Sequence, residues 1–278
     1  MLLGTSIAVT GAEPDPLFRN SDALSLTLSG PFSTISSERN KDNQYPGQLS
    51  YVNDRGQTIT LDASFQARGN WRLQRENCRY PPLWVDLQRS QTDGTLFENQ
   101  NRLKLVAQCG RGGRYADYLL RELQLYEMFS LLSPYHFDTR LLNVTYVDPD
   151  GDQLREHPGF FIEHQNRIAA RLELPEVELH QVSNLELDPM QSTLVTLFMF
   201  FIGNVDFSII EGMDGEECCH NAKLFQDPRG RYIPVPDDFD GSGFVDTNYA
   251  PPPHPRFGIR DNRQRYYRGF CVSDEIFN

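Results

Sequence analysis

Polar side chains in the second half of the chain have the types and spacing of a metal-dependent phosphate site. They lie in the loop Asn204-Val205-Asp206, at Asn221, and in the acidic run Asp237-Asp238-Phe239-Asp240. Carboxylate and amide oxygens suit Mg²⁺, which takes one or two carboxylates from a protein and leaves positions open for phosphate. The chemistry that these residues indicate is therefore the handling of a phosphoryl group.

A helix and a hairpin are predicted to position these side chains. Asp188 followed by Pro189 is typical of a helix start, and Gly203 of a helix end. The residues between are apolar nearly all round, so the helix is expected to be buried. Two extended runs, 221–226 and 231–235, flank a turn at 227–230. Their pairing is expected to set Asn221 opposite Pro236, close to the acidic run.

This order of elements resembles the catalytic half of a protein kinase, and it is most similar to the spore-coat CotH-type kinases, an atypical kinase family. Those kinases carry an Asn-x-Asp loop and an Asp-x-Asp in place of Asp-Phe-Gly, matched here by 204–206 and 238–240. The resemblance implies that Asp206 orients or deprotonates the acceptor hydroxyl. It implies that Asn221 and Asp238 hold Mg²⁺ or Mn²⁺, with Asp240 as a second carboxylate ligand.

The chain departs from the kinase pattern in two ways. It lacks His-Arg-Asp, and Asn221 lies fifteen residues after Asp206, a much longer interval than protein kinases have. The insert from Ser208 to Cys219 is therefore expected to loop out.

The first half of the chain supplies the expected nucleotide contacts. Strands are predicted at 59–67, 83–87 and 102–106, the order of a kinase N-lobe. CotH-type kinases also have an Arg-Gly-Asn near the loop after the first of these strands, which assigns a cofactor-binding role to Arg68. Lys104, in the last strand, is inferred to be the lysine that contacts the nucleotide phosphates.

A helix predicted at about 114–132 carries a buried apolar stripe with Glu122 near its centre. An unpaired buried charge is very costly, so Glu122 needs a cation. Lys104 is the expected partner, as in the Lys–Glu pair of kinases. The alternative is that Glu122 pairs with a surface arginine at the edge of the stripe.

These features predict an α+β fold of two lobes, protein-kinase-like, with a β-rich N-lobe at 13–165 and a smaller helical C-lobe at 166–278. The C-lobe is expected to be truncated or unusually small. The predicted function is phosphotransfer from ATP to an exported protein or another hydroxyl acceptor. Two rivals remain open: an inactive kinase-like binding protein, and a metal-dependent hydrolase that uses Asp238 and Asp240 with His220.

Charge and cysteine content constrain the partners and the compartment. The formal net charge of −12 argues against unassisted binding to nucleic acid or an anionic membrane. The sequence contains no apolar run long enough to span a membrane. Residues 1–12 resemble the end of a secretory signal, or are a disordered tag. Five cysteines favour an exported protein. Cys78 and Cys109 flank predicted neighbouring strands and could form a disulfide, although the sequence does not settle the pairing.

Overall fold

The computed structural model describes residues 13–213 and 216–270. The possible signal remnant at 1–12 and the fifth cysteine, Cys271, lie outside the described residues. The predicted end of the C-lobe, at 271–278, also lies outside them.

Seven strands form a closed barrel in the N-terminal part of the chain. They are β1 (Leu24–Ser29), β2 (Tyr45–Val52), β3 (Thr58–Ala67), β4 (Leu83–Leu87), β5 (Arg102–Ala107), β6 (Thr139–Val147) and β7 (Gln153–Ile162). The strand order is β1-β2-β3-β4-β5-β7-β6. Neighbouring strands are antiparallel except for β1 and β6, which are parallel and close the barrel.

Alternation along β5 and β7 divides their side chains between two cores, because successive residues of a strand point to opposite faces. Leu103 and Leu105 of β5 and Phe161 of β7 join the apolar cluster of the barrel. Phe160 and Ile162 join a second cluster on the other side of these strands. Lys104 shares the outward-facing parity of Val106, a member of that second cluster.

Helices and a hairpin build the second core against the outer face of β5 and β7. Its helices are α3 (Gly113–Ser130), α4 (Gln165–Leu172) and α5 (Pro189–Ile202), and its hairpin is β8 (Ala222–Gln226) with β9 (Tyr232–Pro236). Two short helices, α1 (Phe32–Glu38) and α2 (Arg89–Thr92), accompany the barrel strands. The division of the chain at residue 165 stays a prediction.

The predicted limits of α5 are confirmed, but its predicted burial is not. The Asp188 side chain accepts a hydrogen bond from the Gln191 backbone N–H, and Gly203 ends the helix with φ of 69°. One face of α5 is open to solvent, with Leu197 51% and Phe201 57% exposed. An apolar composition all round a helix therefore did not mean burial all round.

The expected two-lobed, kinase-like fold with a helical C-lobe is wrong. The described residues form a closed mixed barrel, and beyond residue 165 regular helix is confined to α4, α5 and short 3₁₀ turns. The barrel is closed by pairing between β1 and β6, which are distant in the sequence. The local order of predicted strands does not reveal such a contact.

The structure contains the disulfide that the sequence suggested between Cys78 and Cys109. Cys78 and Cys109 form a disulfide, and the adjacent Cys218 and Cys219 form another. Structural disulfides are typical of oxidising compartments, so these pairs are compatible with a secreted protein. Among the described residues, no helix is both long and apolar enough to cross a membrane.

Candidate functional site

A cavity of about 580 Å³ lies between the barrel, the loop after β3 and the open end of the β8–β9 hairpin. Six of the seven predicted site residues line it. They are Arg68, Lys104, Asp206, Asn221, Asp238 and Asp240. The seventh, Glu122, reaches the cavity wall through Arg72, with which it forms an ion pair.

The β8–β9 hairpin brings Asn221 next to the acidic run. Ala222, rather than the predicted Asn221, pairs with Pro236, so the observed register differs from the prediction by one residue. Asn221 is thereby set against Asp237, whose backbone N–H donates to the Asn221 carbonyl at 3.1 Å. The shift arises at the turn, where five residues rather than four connect the strands.

The segment between Asp206 and Asn221 folds back on itself, as expected for an insert. The Ser208 N–H donates to the His220 carbonyl at 2.9 Å, which closes the excursion at its base. The Asn221 side-chain amide then donates to the Asp206 carbonyl at 2.6 Å and to its carboxylate at 3.2 Å. Two residues that are fifteen positions apart therefore lie in direct contact.

His220 completes this contact, although the phosphotransferase interpretation of the sequence gave it no role. Its Nε2 lies 2.8 Å from Asp206 Oδ1. Burial acts to lower the pKa of His220, but the hydrogen bond and charge of Asp206 outweigh it, and the pKa lies above its ordinary value. Asp206 therefore has a cationic or hydrogen-bonding partner on one oxygen and an amide on the other.

Lys104 does not pair with Glu122 as the sequence predicted. Its Nζ lies 2.5 Å from Asp237 Oδ2, and both side chains are nearly buried. Burial acts to raise the pKa of Asp237, but the charge of Lys104, with smaller contributions from Lys223 and Arg68, holds it below the ordinary value. Burial, with the charges of Arg68 and Lys223, lowers the pKa of Lys104, although Asp237 opposes the shift. The ion pair holds Lys104 against the hairpin.

Glu122 finds its cation in Arg72, four residues after Arg68 in the loop that follows β3. Arg72 Nη1 lies 3.8 Å from Glu122 Oε2, and Arg72 Nε lies 3.2 Å from Asp240 Oδ2. The alternative prediction of an arginine partner was thus right in residue type, but this arginine is buried rather than at the surface. The need of the buried Glu122 for a cation indicated that such a partner exists. Arg72 was not identified as that partner because it lies in a loop, where the sequence has no periodicity that indicates which side chains are buried.

Carboxyl groups repel one another on this wall of the cavity. Burial and the neighbouring Asp238 raise the pKa of Asp240 to about 7, although Arg72 opposes the shift. Burial also raises the pKa of Glu122 well above its ordinary value, and Asp240 and Asp238 add to the effect. The cluster is therefore short of positive charge.

Two cations that form no salt bridge within the described residues line the same cavity. Among the described residues, Arg68 and Lys223 form no side-chain hydrogen bond or salt bridge. The Arg68 guanidinium instead lies 5.2 Å from the centre of the Trp84 ring. Burial and the nearby charge of Arg72 lower the pKa of Arg68, although Asp238 and Asp237 oppose this. Both cations are available to an anion.

The donor atoms fit a hard cation that is completed by its ligand rather than a closed metal site. Within the described ranges, no group of three or more His, Cys, Asp or Glu side chains is arranged to hold a metal. Mg²⁺ in phosphate sites needs only one or two carboxylates. Asp238 and Asp240 supply these, and Asn221 Oδ1 accepts no hydrogen bond from the described residues. The residues fit Mg²⁺ bound together with a phosphate.

Comparison of the chain with family models, with curated proteins and with solved structures returned no match. The resemblance to CotH-type kinases therefore stays a prediction, and the function is inferred from the residues of the cavity.

Proposed function

We propose that this protein is a metal-dependent phosphotransferase that moves a phosphoryl group from ATP to a hydroxyl acceptor. One observation carries the proposal: two cations without a salt bridge, Arg68 and Lys223, line the same cavity as the carboxylates of Asp238 and Asp240, and the pKa of Asp240 is raised to about 7. A metal-bound polyphosphate carries both charges, so it complements both kinds of group at once. Free phosphate or a free cation neutralises only one.

The residues of the chain divide into phosphate and metal ligands. Arg68 and Lys223 bind the phosphate oxygens, and Lys104 adds a third positive charge that Asp237 holds in place. Asp238, Asp240 and the side-chain oxygen of Asn221 hold Mg²⁺ or Mn²⁺, which neutralises charge on the phosphates when it is bound. Catalysis by such a set consists of positioning and charge neutralisation.

Asp206 is the candidate base for the acceptor hydroxyl. Its side chain is 34% exposed at the cavity, so an acceptor can reach it. A carboxylate has about four acceptor positions, and the contacts with His220 and Asn221 leave some of them free. These two contacts fix the orientation of the carboxylate.

A second candidate function is hydrolysis of a phosphate ester. The contact between His220 and Asp206 favours it, because a carboxylate that orients an imidazole is a common arrangement for activating water. A third is binding without turnover, which the two hydrogen-bonded oxygens of Asp206 favour. We propose an exported location for all three, since the disulfides fit an oxidising compartment.

Calorimetry with Mg·ATP, Mg²⁺ alone and ATP with a chelator tests the binding. We expect Mg·ATP to bind at least about tenfold more tightly than ATP without metal, and Arg68→Gln to weaken it, whereas Arg229→Gln in the exposed hairpin turn should not. Incubation with γ-labelled ATP then separates the candidates. Label on a hydroxyl acceptor supports transfer, and labelled free phosphate supports hydrolysis. The absence of both products supports binding without turnover. Equal affinity with and without metal would contradict the proposal.

A further inference from the structure

Four basic side chains surround Tyr80 on the barrel side of the molecule, and we name them with Tyr80 the Tyr80 cluster. The Arg155 guanidinium carbon lies 4.2 Å from the Tyr80 ring centre, and that of Arg79 lies 5.7 Å from it. Arg111 Nε donates to the Tyr80 hydroxyl oxygen at 3.3 Å. The His157 ring centre is 5.7 Å from the same ring.

No carboxylate compensates these charges within the described part of the chain. Arg79, Arg111 and Arg155 form no salt bridge there, in a protein with 38 acidic and 26 basic residues. Arg155 instead contacts a second phenol ring, since its guanidinium carbon also lies 4.0 Å from the Tyr146 ring centre. Contact with aromatic faces stabilises a guanidinium less than an ion pair with good geometry does.

The basic groups repel one another. Burial lowers the pKa of Arg155, and the charge of Arg79 lowers it further, although Tyr146 and Tyr80 oppose the shift. Burial also lowers the pKa of His157, and Arg155 and Arg111 add to this. An anion placed among these groups relieves the repulsion, so its binding is favoured by more than its direct contacts.

The positions of the cluster are fixed by the barrel and by a disulfide. The backbone N–H groups of Arg79 and Tyr80 both donate to the Cys109 carbonyl, at 2.8 and 3.0 Å. Cys109 is bonded to Cys78, next to Arg79 in the chain, and it lies two residues before Arg111. Arg155 and His157 are alternate residues of β7 and therefore share one face of the sheet. The site is pre-organised rather than formed by long mobile segments.

We propose that the Tyr80 cluster is a binding site for a tetrahedral oxyanion of the phosphate or sulfate class. Arg79 and Arg111 are exposed and supply guanidinium forks that match such an oxyanion. Arg155 supplies a fixed charge beneath them. None of the five residues of the cluster lines the 580 Å³ cavity, so this is a second site and does not depend on the proposed phosphotransfer.

Calorimetric titration with inorganic phosphate and with sodium sulfate tests the proposal. The Arg68→Gln background is used throughout, in order to reduce any phosphate binding in the 580 Å³ cavity. We expect at least one of the two oxyanions to bind, and Arg79→Gln with Arg111→Gln to reduce its affinity about tenfold or more. Both arginines are exposed, so the double variant should fold. Arg55→Gln, an exposed arginine in the β2–β3 turn, is the matched control and should leave the affinity unchanged.

Two outcomes would overturn the inference: no binding of either oxyanion to the parent protein, or equal affinity in the double variant and the parent. O-phosphoserine then identifies the source of the anion. Tighter binding of the ester than of inorganic phosphate points to a phosphorylated ligand, and the reverse order points to the free anion.

Discussion

Lys104 and Asp237 join the barrel to the hairpin through an ion pair, with Nζ 2.5 Å from Oδ2. Lys104 lies in the middle of β5, and Asp237 follows the last residue of β9. Because neither side chain is more than slightly exposed, the pair couples the position of the hairpin end to the barrel wall. The Tyr126 hydroxyl donates to the Asp237 carbonyl at 2.6 Å and adds a second tether from α3.

Asp237→Asn should destabilise the fold by up to about 3–5 kcal/mol, since it leaves Lys104 buried without its counter-charge. Urea denaturation measures the change in the free energy of unfolding. The double variant Lys104→Met with Asp237→Leu should recover much of the loss, because no unpaired charge remains. If the single variant is as stable as the wild type, solvent must stabilise the charge of Lys104 in place of Asp237.

Asp238→Ala should abolish Mg²⁺-dependent nucleotide binding and leave the protein folded, because a ligand on a loop contributes little packing. Calorimetry with Mg·ATP and circular dichroism measure the two properties. Asp54→Ala, in an exposed turn outside the cavity, is the control. Unchanged Mg·ATP affinity in a folded Asp238 variant contradicts the metal assignment.

Asp206→Asn should keep nucleotide binding and remove phosphoryl transfer, because an amide cannot accept the proton of the acceptor. The same variant should lower the pKa of His220, since Asp206 is what raises it. NMR titration of His220 checks this second effect without any assay of activity. Retention of most of the turnover would assign Asp206 a structural role.

Arg72→Gln and Glu122→Gln should differ strongly in their cost. Burial raises the pKa of Glu122 well above its ordinary value because its ionised form is costly there, so a neutral amide removes that cost and should be the less destabilising change. Arg72→Gln removes the cation shared by Glu122 and Asp240 and should be much more destabilising. Thermal unfolding of the two variants measures the difference, and equal losses would contradict this view of the cluster.

His164 should make the protein sensitive to acid. Burial, with the charges of Lys104, Arg102 and Lys223, lowers the pKa of His164 to about 4, from 6.5 for the ordinary side chain. The unfolded chain therefore binds the proton more readily, and stability is lost as pH falls from about 6.5 through about 4. The full effect is at most about 3 kcal/mol, and solvent that reaches the ring makes it smaller.

His164→Asn isolates this contribution, because asparagine keeps the cap that the His164 side chain provides to α4 and does not titrate. Urea denaturation at several pH values should show a flatter dependence between about pH 7 and pH 4 in the variant than in the wild type. Parallel curves would show that His164 does not titrate differently in the folded state.

The parts of the fold that the sequence predicted are those with local signals. The limits of α5 came from Asp188, Pro189 and Gly203, and the strands predicted at 59–67, 83–87 and 102–106 correspond to β3, β4 and β5. Barrel closure was missed because β1 and β6 pair across the whole first half of the chain, and no local pattern specifies that contact.

The candidate site shows the same division. Its residues were predicted by type, by the hairpin, by the strand order and by the resemblance to CotH-type kinases, and six of seven line one cavity. Their partners were not, because the sequence does not rank Asp237 against Glu122 as the partner of Lys104. Arg72 was not predicted for a related reason. It lies in an irregular loop, where the spacing of residues does not indicate which way a side chain points.

The parallel pairing of β1 with β6 also sets the order in which the chain can fold. Residue 24 lies beside residue 142, so β1 cannot complete its pairing on a ribosome until β6 has emerged. Until then β1 has only β2 as a neighbour, and one edge of the nascent sheet exposes unpaired N–H and C=O groups. The contact order of this closure predicts slow folding, and truncation before residue 139 should give a product that aggregates rather than a smaller barrel.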